Sequence, residues 1–243
     1  IADCLEPLVL RPDDVLLRTV FEALAQLLGE YRFIWIPLLD ENLVREHLEP
    51  ALQTFPNLAG IHRRAPNYFI DLTAQAGFDG YLTNTVGSKT NRDCRRRLRQ
   101  LEQLGQVEYV TYRTPDDLLR FDVEMRSIEK VSWKGREQLG HLSKAGSAGF
   151  FDELLPKLMA LGQVEITALR VNEMAIAFEI AVRREGYYGF FHIAYLPDYH
   201  KHAPGRQLML HNIERAMIEA VRSSTSCRAA TSLRRYSAPA AAN

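Results

Sequence analysis

The chain has 243 residues, 47% hydrophobic and 25% charged, enough for one large or two small domains with real cores and too apolar for a disordered chain. Its thirty basic and thirty acidic residues cancel, so no overall field draws it to nucleic acid or an anionic membrane, and such a partner needs a local patch. Cys4, Cys94 and Cys227 lie far apart, without CxxC or zinc-like spacing, which fits a reducing compartment or unpaired thiols. No apolar run nears the roughly 20 residues of a bilayer span and no charged-then-apolar leader is read; a cytoplasmic location is expected. A start at Ile1 rather than Met fits a fragment or a processed form.

Residues 13 to 28 put Val15, Leu16, Val20, Leu24, Leu27 and Leu28 on one helical stripe, with Asp13 and Asp14 at its start and Gly29 at its end. Phe33 to Leu39 predicts a buried strand that Pro37 pushes toward an edge, and Glu41 to Thr54 a weaker helix. After the Pro66-Asn67 break, Tyr68 to Leu72 predicts another strand. Ser88 to Leu104 reads as a helix carrying Lys89, Arg92, Arg95, Arg96, Arg97 and Arg99, ended by Gly105. It is either a grip for phosphates of a cofactor or an RNA, or a solvated helix with Leu98, Leu101 and Leu104 packed inward.

From Gly105 the pattern becomes regular. Val107 to Tyr112 alternates like a half-buried strand, Thr114-Pro115-Asp116 starts a helix to about Val131, Ser132-Trp133-Lys134-Gly135 follows, and Phe150 to Leu161 predicts a second helix with Pro156 inside. Val164 to Val171 and Met174 to Val182 form strands joined by a tight turn at Asn172-Glu173. Strict alternation puts Ile176, Phe178 and Ile180 on one face and Ala177, Glu179 and Ala181 on the other, where Glu179 is either solvent-facing or paired and used.

The aromatic run from Tyr187 then enters Ala203-Pro204-Gly205-Arg206 and opens into an amphipathic helix. Pro204 suits a first helical position, Gly205 leaves the backbone bare, and free N–H groups at a helix start favour a phosphate or pyrophosphate. An ordinary strand-to-helix connection is the alternative.

The order strand, helix, helix, strand, strand, strand, helix resembles the N-acetyltransferase fold of the GNAT superfamily: an α/β (α+β) class with a mixed, mainly antiparallel sheet flanked by helices. More narrowly, RRRLRQLEQLGQVEY at 95–109, SWKG at 132–135 and APGRQLMLHNIERA at 203–216 resemble the CelD-like acetyltransferases of exopolysaccharide clusters, which are similar to Fem-type aminoacyl ligases. The resemblance covers Asp3 to about Val221. It implies a partial GNAT-like lobe over 1–98, an acyltransferase lobe over 99–221, and a non-native-looking or disordered tail over 222–243. In that tail the family's fifth strand is not legible, because RSSTSCRAATSLRRYSAPAAAN is small and polar and predicts no strand. A reading-frame shift is one origin: permitted codons for Ser223 to Leu233, read from the third base, restore an aromatic-Asp-aromatic strand and a glycine turn.

The resemblance further implies acetyl-CoA or another acyl-CoA as co-substrate, lying along the strand Tyr187 to Leu196, with its pyrophosphate at the start of the following helix. Gly205, Arg206 and Gln207 are the expected contacts, through backbone N–H groups, with Pro204 and Leu208 in the same turn and Arg206 or Lys201 adding charge. Direct attack of an amine needs a base, and Glu179 and His192 are the candidates. Tyr199, or Tyr195, is the candidate acid, aromatic residues of a core being the alternative. Trp133 would stack on a sugar or amine and Lys134 engage a carboxylate or phosphate; a Trp anchoring a helix end beside a solvated Lys is the other reading. The histidines at 200, 202 and 211 have no metal-like partners and no metal is expected. The expected partner is an amine or amino-sugar acceptor of polysaccharide or envelope synthesis, with no DNA and no membrane span. The alternatives are a Fem-type ligase using aminoacyl-tRNA, whose RNA Arg92 to Arg99 would touch, and an inactive pseudoenzyme or scaffold.

Overall fold

The computed structural model describes residues 68–72, 75–184, 187–223 and 228–231, with the single positions Thr19, Ala23 and Arg45. The chain divides into two compact units, 1–66 and 67–243. The helices expected over 13–28 and 41–54 and the strand over 33–39 lie outside the described residues, except that Thr19 and Ala23 are helical and Arg45 is π-helical.

In chain order the second unit runs β1 (Tyr68–Asp71), α1 (Gly77–Tyr81), a π-helical turn (Leu82–Val86), α2 (Ser88–Glu102), β2 (Val107–Tyr112), α3 (Pro115–Val131), α4 (Trp133–Arg136), α5 (Ala148–Ala160), β3 (Val164–Val171), β4 (Met174–Arg184), β5 (Tyr187–Tyr195), a 3-10 turn (Pro197–His202), α6 (Pro204–Ser223) and β6 (Arg228–Thr231). The sheet order is β1-β6-β5-β4-β3-β2. Every neighbouring pair is antiparallel except β5 and β6, which run parallel over Tyr187–Phe190.

Local chemistry accounts for most boundaries. Thr114 caps α3 by accepting from the Asp117 amide at 3.1 Å, the Asp117 carboxylate accepts from the amide of Thr114, and Pro115 occupies the first turn. Asn172 and Glu173 both have positive φ, 48° and 68°, the backbone a two-residue hairpin needs to match strand twist. The Asn172 side chain also accepts from the amide of Gln106 at 2.9 Å and donates to the carbonyl of Leu104 at 3.2 Å, tying the hairpin tip to the entry of β2.

The sheet is covered on both faces. Phe121, Met125 and Ile128 of α3 and Phe151 and Leu155 of α5 pack on Ile166, Phe178 and Ile180, while α6 covers the other face through Leu208, Ile213 and Met217. The expected alternation in β4 holds for Phe178 and Ile180, but Ile176 packs beside Ala177 on the α6 side. The reason is a bulge: Leu169 pairs with Ala177 and Arg170 with Ala175, which leaves Ile176 extra. A second bulge lies in β5, where Ile180 pairs with His192 and Ala181 with Phe190.

Two expectations about the polar segments are corrected. The tail does form a strand, since β6 lies between β1 and β5; a short strand flanked on both edges is held by its ladder hydrogen bonds, so small side chains suffice. In α2, Leu101 is fully buried but Leu104 is half exposed, because the helix ends at Glu102 before bringing Leu104 to the inner face. The helix docks instead through Cys94, which is buried and unpaired, and through Gln207, whose Nε2 donates to the Cys94 carbonyl at 2.9 Å.

Candidate active site

The tetrad 132–135 is a chain reversal with a defined cause. Ser132 is buried; its hydroxyl donates to the Glu129 carbonyl at 2.7 Å and receives the Gly135 amide at 3.3 Å. A Cβ at 135 would collide with the backbone carbonyls of Glu129 and Lys130, so only glycine lets α4 fold back so closely. Trp133 and Lys134 are thereby turned outward, each partly exposed. The Lys134 ammonium lies 5.9 Å from the Trp133 ring centroid and 3.3 Å from Nδ1 of His192.

Behind Lys134 stands a carboxylate that the sequence reading missed. Glu129 has no exposed surface. It accepts backbone N–H bonds from His141 at 2.9 Å, Leu142 at 2.9 Å and Ser143 at 2.6 Å, and His192 Nε2 is 2.7 Å from its Oε1. That last contact is close but not aligned as an ideal hydrogen bond. Burial would raise the carboxyl's pKa, yet His192 and the Ser143 hydrogen bonds outweigh it and bring it down to about 2. Burial dominates for His192 and, with Lys134 alongside, brings the imidazole to about 4 against the pull of Glu129. The pair at neutral pH is therefore an anion beside a neutral ring. An ammonium can only donate, so Nδ1 accepts from Lys134 and the ring proton sits on Nε2, facing the carboxylate. Glu129 was legible in one respect: it stands four residues after Met125 and eight after Phe121 on the apolar stripe of α3, where a carboxylate must be paired.

The bulge in β5 brings this group together. Tyr188 and Phe190 face the α6 side, whereas Phe191 and His192 both turn toward α3 and α5. Ile193, the next residue, faces α6, where a Cβ at Gly205 would stand 3.1 Å from its Cδ1. A shallow cleft beside the cluster is lined by Trp133, Arg136, Tyr195, Pro197 and His200.

The other predicted residues fall in two places. Around the start of α6, Pro204 is buried and Arg206 exposed, with Nη1 3.9 Å from Asp93 of α2. Lys201 is exposed and its carbonyl accepts from Arg97. Gln207 is committed to the Cys94 carbonyl and Leu208 to the core, so those two side chains are structural. The amides of Arg206 and Gln207 bond the Ala203 carbonyl at 3.0 and 3.1 Å. Tyr199 packs partly buried against the cluster of Leu101 and Leu208. Thus the exposed cations Lys201 and Arg206, with Gly205 against β5, are what this turn offers an anionic ligand.

Glu179 lies on the opposite face from His192. It does not face solvent: it is 1% exposed because α6 covers it, and Asn212 Nδ2 donates to its Oε1 at 2.7 Å. Burial, opposed by the Asn212 bond, pushes its pKa up to about 8. Nearby, buried Glu165 is ringed by Arg113 at 3.1 Å, Arg183 at 2.7 Å and Arg215, and accepts from the Tyr188 hydroxyl at 3.2 Å. Among the described residues, no group of three or more His, Cys, Asp or Glu is arranged to hold a metal ion, and no helix is long and apolar enough to cross a membrane.

No curated protein sequence matches the chain. Among solved structures it is similar to a conserved protein of unknown function from Bacteroides thetaiotaomicron, with a TM-score of 0.54 and 16% identity over 88% of this chain and 65% of that one. It is also similar to L-PGS from Bacillus licheniformis, with a TM-score of 0.50 and 15% identity over 90% of this chain and 57% of that one. Both likenesses concern the fold, and the chain spans less than two thirds of either protein's length. The sequence model of the acetyltransferase (GNAT) domain matches residues 88–232, from the start of α2 to just past β6, and with more than half of its length so matched the chain belongs to that family.

Proposed function

We propose that the protein transfers an acyl group from acetyl-CoA or another acyl-CoA to an amine by direct attack. The acceptor, an amino sugar or similar amine of polysaccharide or envelope synthesis, would lie in the Trp133 cleft. Family membership supplies the acetyltransferase type of reaction. The observation that carries the reading is the double role of β5: His192 joins Lys134 and Glu129 on one face, while Ile193 touches Gly205 of the α6 turn on the other. One strand thus links an acid–base group to an anion-friendly helix start. Lys201 and Arg206 would meet the donor's phosphates, Trp133 and Tyr195 the acceptor.

The test is a thermal shift with acetyl-CoA. Binding at a hundredfold excess over Kd stabilises by about 2.7 kcal/mol, and Gly205→Asp should remove that gain through bulk and like charge. An unchanged melting temperature in the parent protein rejects the donor site. A second reading, an aminoacyl-tRNA donor, draws on the docking of α2 beside the same turn, where Arg92, Arg95, Arg96 and Arg99 are exposed. Salt-dependent tRNA binding without acetyl-CoA binding would favour it.

A further inference from the structure

Lys134 is the partly exposed member of the acid–base group and is adjacent in the chain to Trp133 of the cleft; His192 is 2% exposed and Glu129 wholly buried behind it. Three features hold the buried pair in place. Three consecutive amides fix the carboxylate. A Cβ at Gly140 would stand 2.7 Å from its Oε2, so the loop closes on it without room for a side chain. The extra residue in β5 aims the imidazole at it. A carboxylate held so firmly in the core, 2.7 Å from a ring whose far nitrogen meets an ammonium, does more than fill space. The charged and titratable groups facing His192 are Glu129 from α3, Lys134 from α4 and His141 from the following loop, whose ring centroid is 5.1 Å away.

We propose that Glu129 and His192 are positioning residues for Lys134: the carboxylate fixes the imidazole with its proton on Nε2, and Nδ1 holds the Lys134 ammonium beside the cleft as the proton donor to the departing thiolate. This rests on the acyl-transfer reading for its final step. In that step the amine nitrogen bonds to the thioester carbonyl carbon, the C–S bond breaks with its electron pair on sulfur, and Lys134 protonates the sulfur. The proton released by the amine nitrogen returns to Lys134, leaving amide, thiol and the ammonium restored. His192 and Glu129 keep their protonation throughout.

Two measurements on the full chain test it. Nitrogen-15 NMR of the His192 ring should show the Nε2–H tautomer at neutral pH, with protonation only near pH 4, and Glu129→Gln should displace the Nε2 resonance while Lys134 keeps the tautomer. An Nδ1–H ring in the parent protein, or an Nε2 resonance indifferent to Glu129→Gln, overturns the positioning pair. The kinetic readout is thiol release from acetyl-CoA with a panel of amines. Lys134→Arg keeps charge and donors but does not surrender a proton; it should lower kcat by about 10²-fold or more with KM for acetyl-CoA unchanged, and a parent-like rate overturns proton delivery. If the parent protein turns over no amine, the acyl-transfer reading and the delivery step fall together, while the NMR result still decides the pair.

Discussion

Phe191 and His192 are neighbours in β5 and face the same side of the sheet, because β4 provides one residue, Ile180, where β5 has two. In regular alternation His192 would follow Tyr188 and Phe190 to the α6 face and never meet Glu129. Deleting Phe191 takes out the extra residue and leaves Phe190 toward α6 and His192 toward α3 in plain alternation, so the register survives and the core loses one aromatic ring. The variant is expected to keep a cooperative transition at a lower midpoint, followed by circular dichroism; loss of cooperativity would show that the bulge itself holds β5 in register.

Two glycines guard one carboxylate residue, Gly135 against the Glu129 carbonyl and Gly140 against its Oε2. Gly135→Ala must move backbone, and a loss of about 1–3 kcal/mol is expected in urea unfolding. Gly140→Ala pushes on a side chain, so the loss should be smaller, with a displaced His192 resonance as its signature. Equal stability of Gly135→Ala and the parent would contradict the close approach.

Glu179 makes stability fall as pH rises. Its folded pKa, about 8, lies above the ordinary 4.5, so its contribution is complete below pH 4.5 and is lost as pH climbs through 8. Glu179→Gln should therefore melt progressively higher than the parent over that window. A difference independent of pH would mean that the carboxyl is not buried in its neutral form.

His192 and Glu129 act in the opposite sense. Both folded values, about 4 and about 2, lie below the ordinary ones of 6.5 and 4.5, so their contribution is present above pH 6.5 and disappears as acid reaches those values. The double variant His192→Gln/Glu129→Gln should flatten the acid side of the melting profile between pH 6.5 and 2, whatever its stability at neutral pH.

Glu165→Gln tests the clasp between β3 and α6. It leaves Arg113, Arg183 and Arg215, which are 48%, 30% and 18% exposed, without their buried anion. Because the first two are well solvated, the lower end of the range for a broken buried pair is expected, about 3 kcal/mol by chemical denaturation. A loss below half of that would show that Glu219, 2.8 Å from Arg113 and 2.6 Å from Arg183, carries the arginines alone.

Elements fixed by local chemistry were legible in the sequence. The capped start of α3, the turn at Asn172-Glu173 and the Pro204-Gly205 helix start each follow from a few adjacent residues. The site was half legible: His192, Lys134 and Trp133 stood out, but Glu129 resembled any carboxylate of a charged helix until α3 was docked. Bulges escape pattern reading because one extra residue leaves composition untouched while reversing every later side chain, which is why Ile176 was assigned to the wrong face. β6 escaped for a different reason: its two central residues are alanines, which favour strands little, and it is a strand because β1 and β5 stand on either side of it.

That placement of β6 makes the sheet a structure finished from its far end. β1 joins the other strands through β6, so Tyr68–Asp71, among the first described residues to be synthesised, has no place in the sheet until Arg228–Thr231 has emerged. During synthesis the edge of β5 stays open to strangers while its eventual neighbour is still inside the ribosome. The hairpin of β3 and β4 can form early from local pairing, whereas the last join waits for contacts that span the whole unit and should be the slow step of refolding.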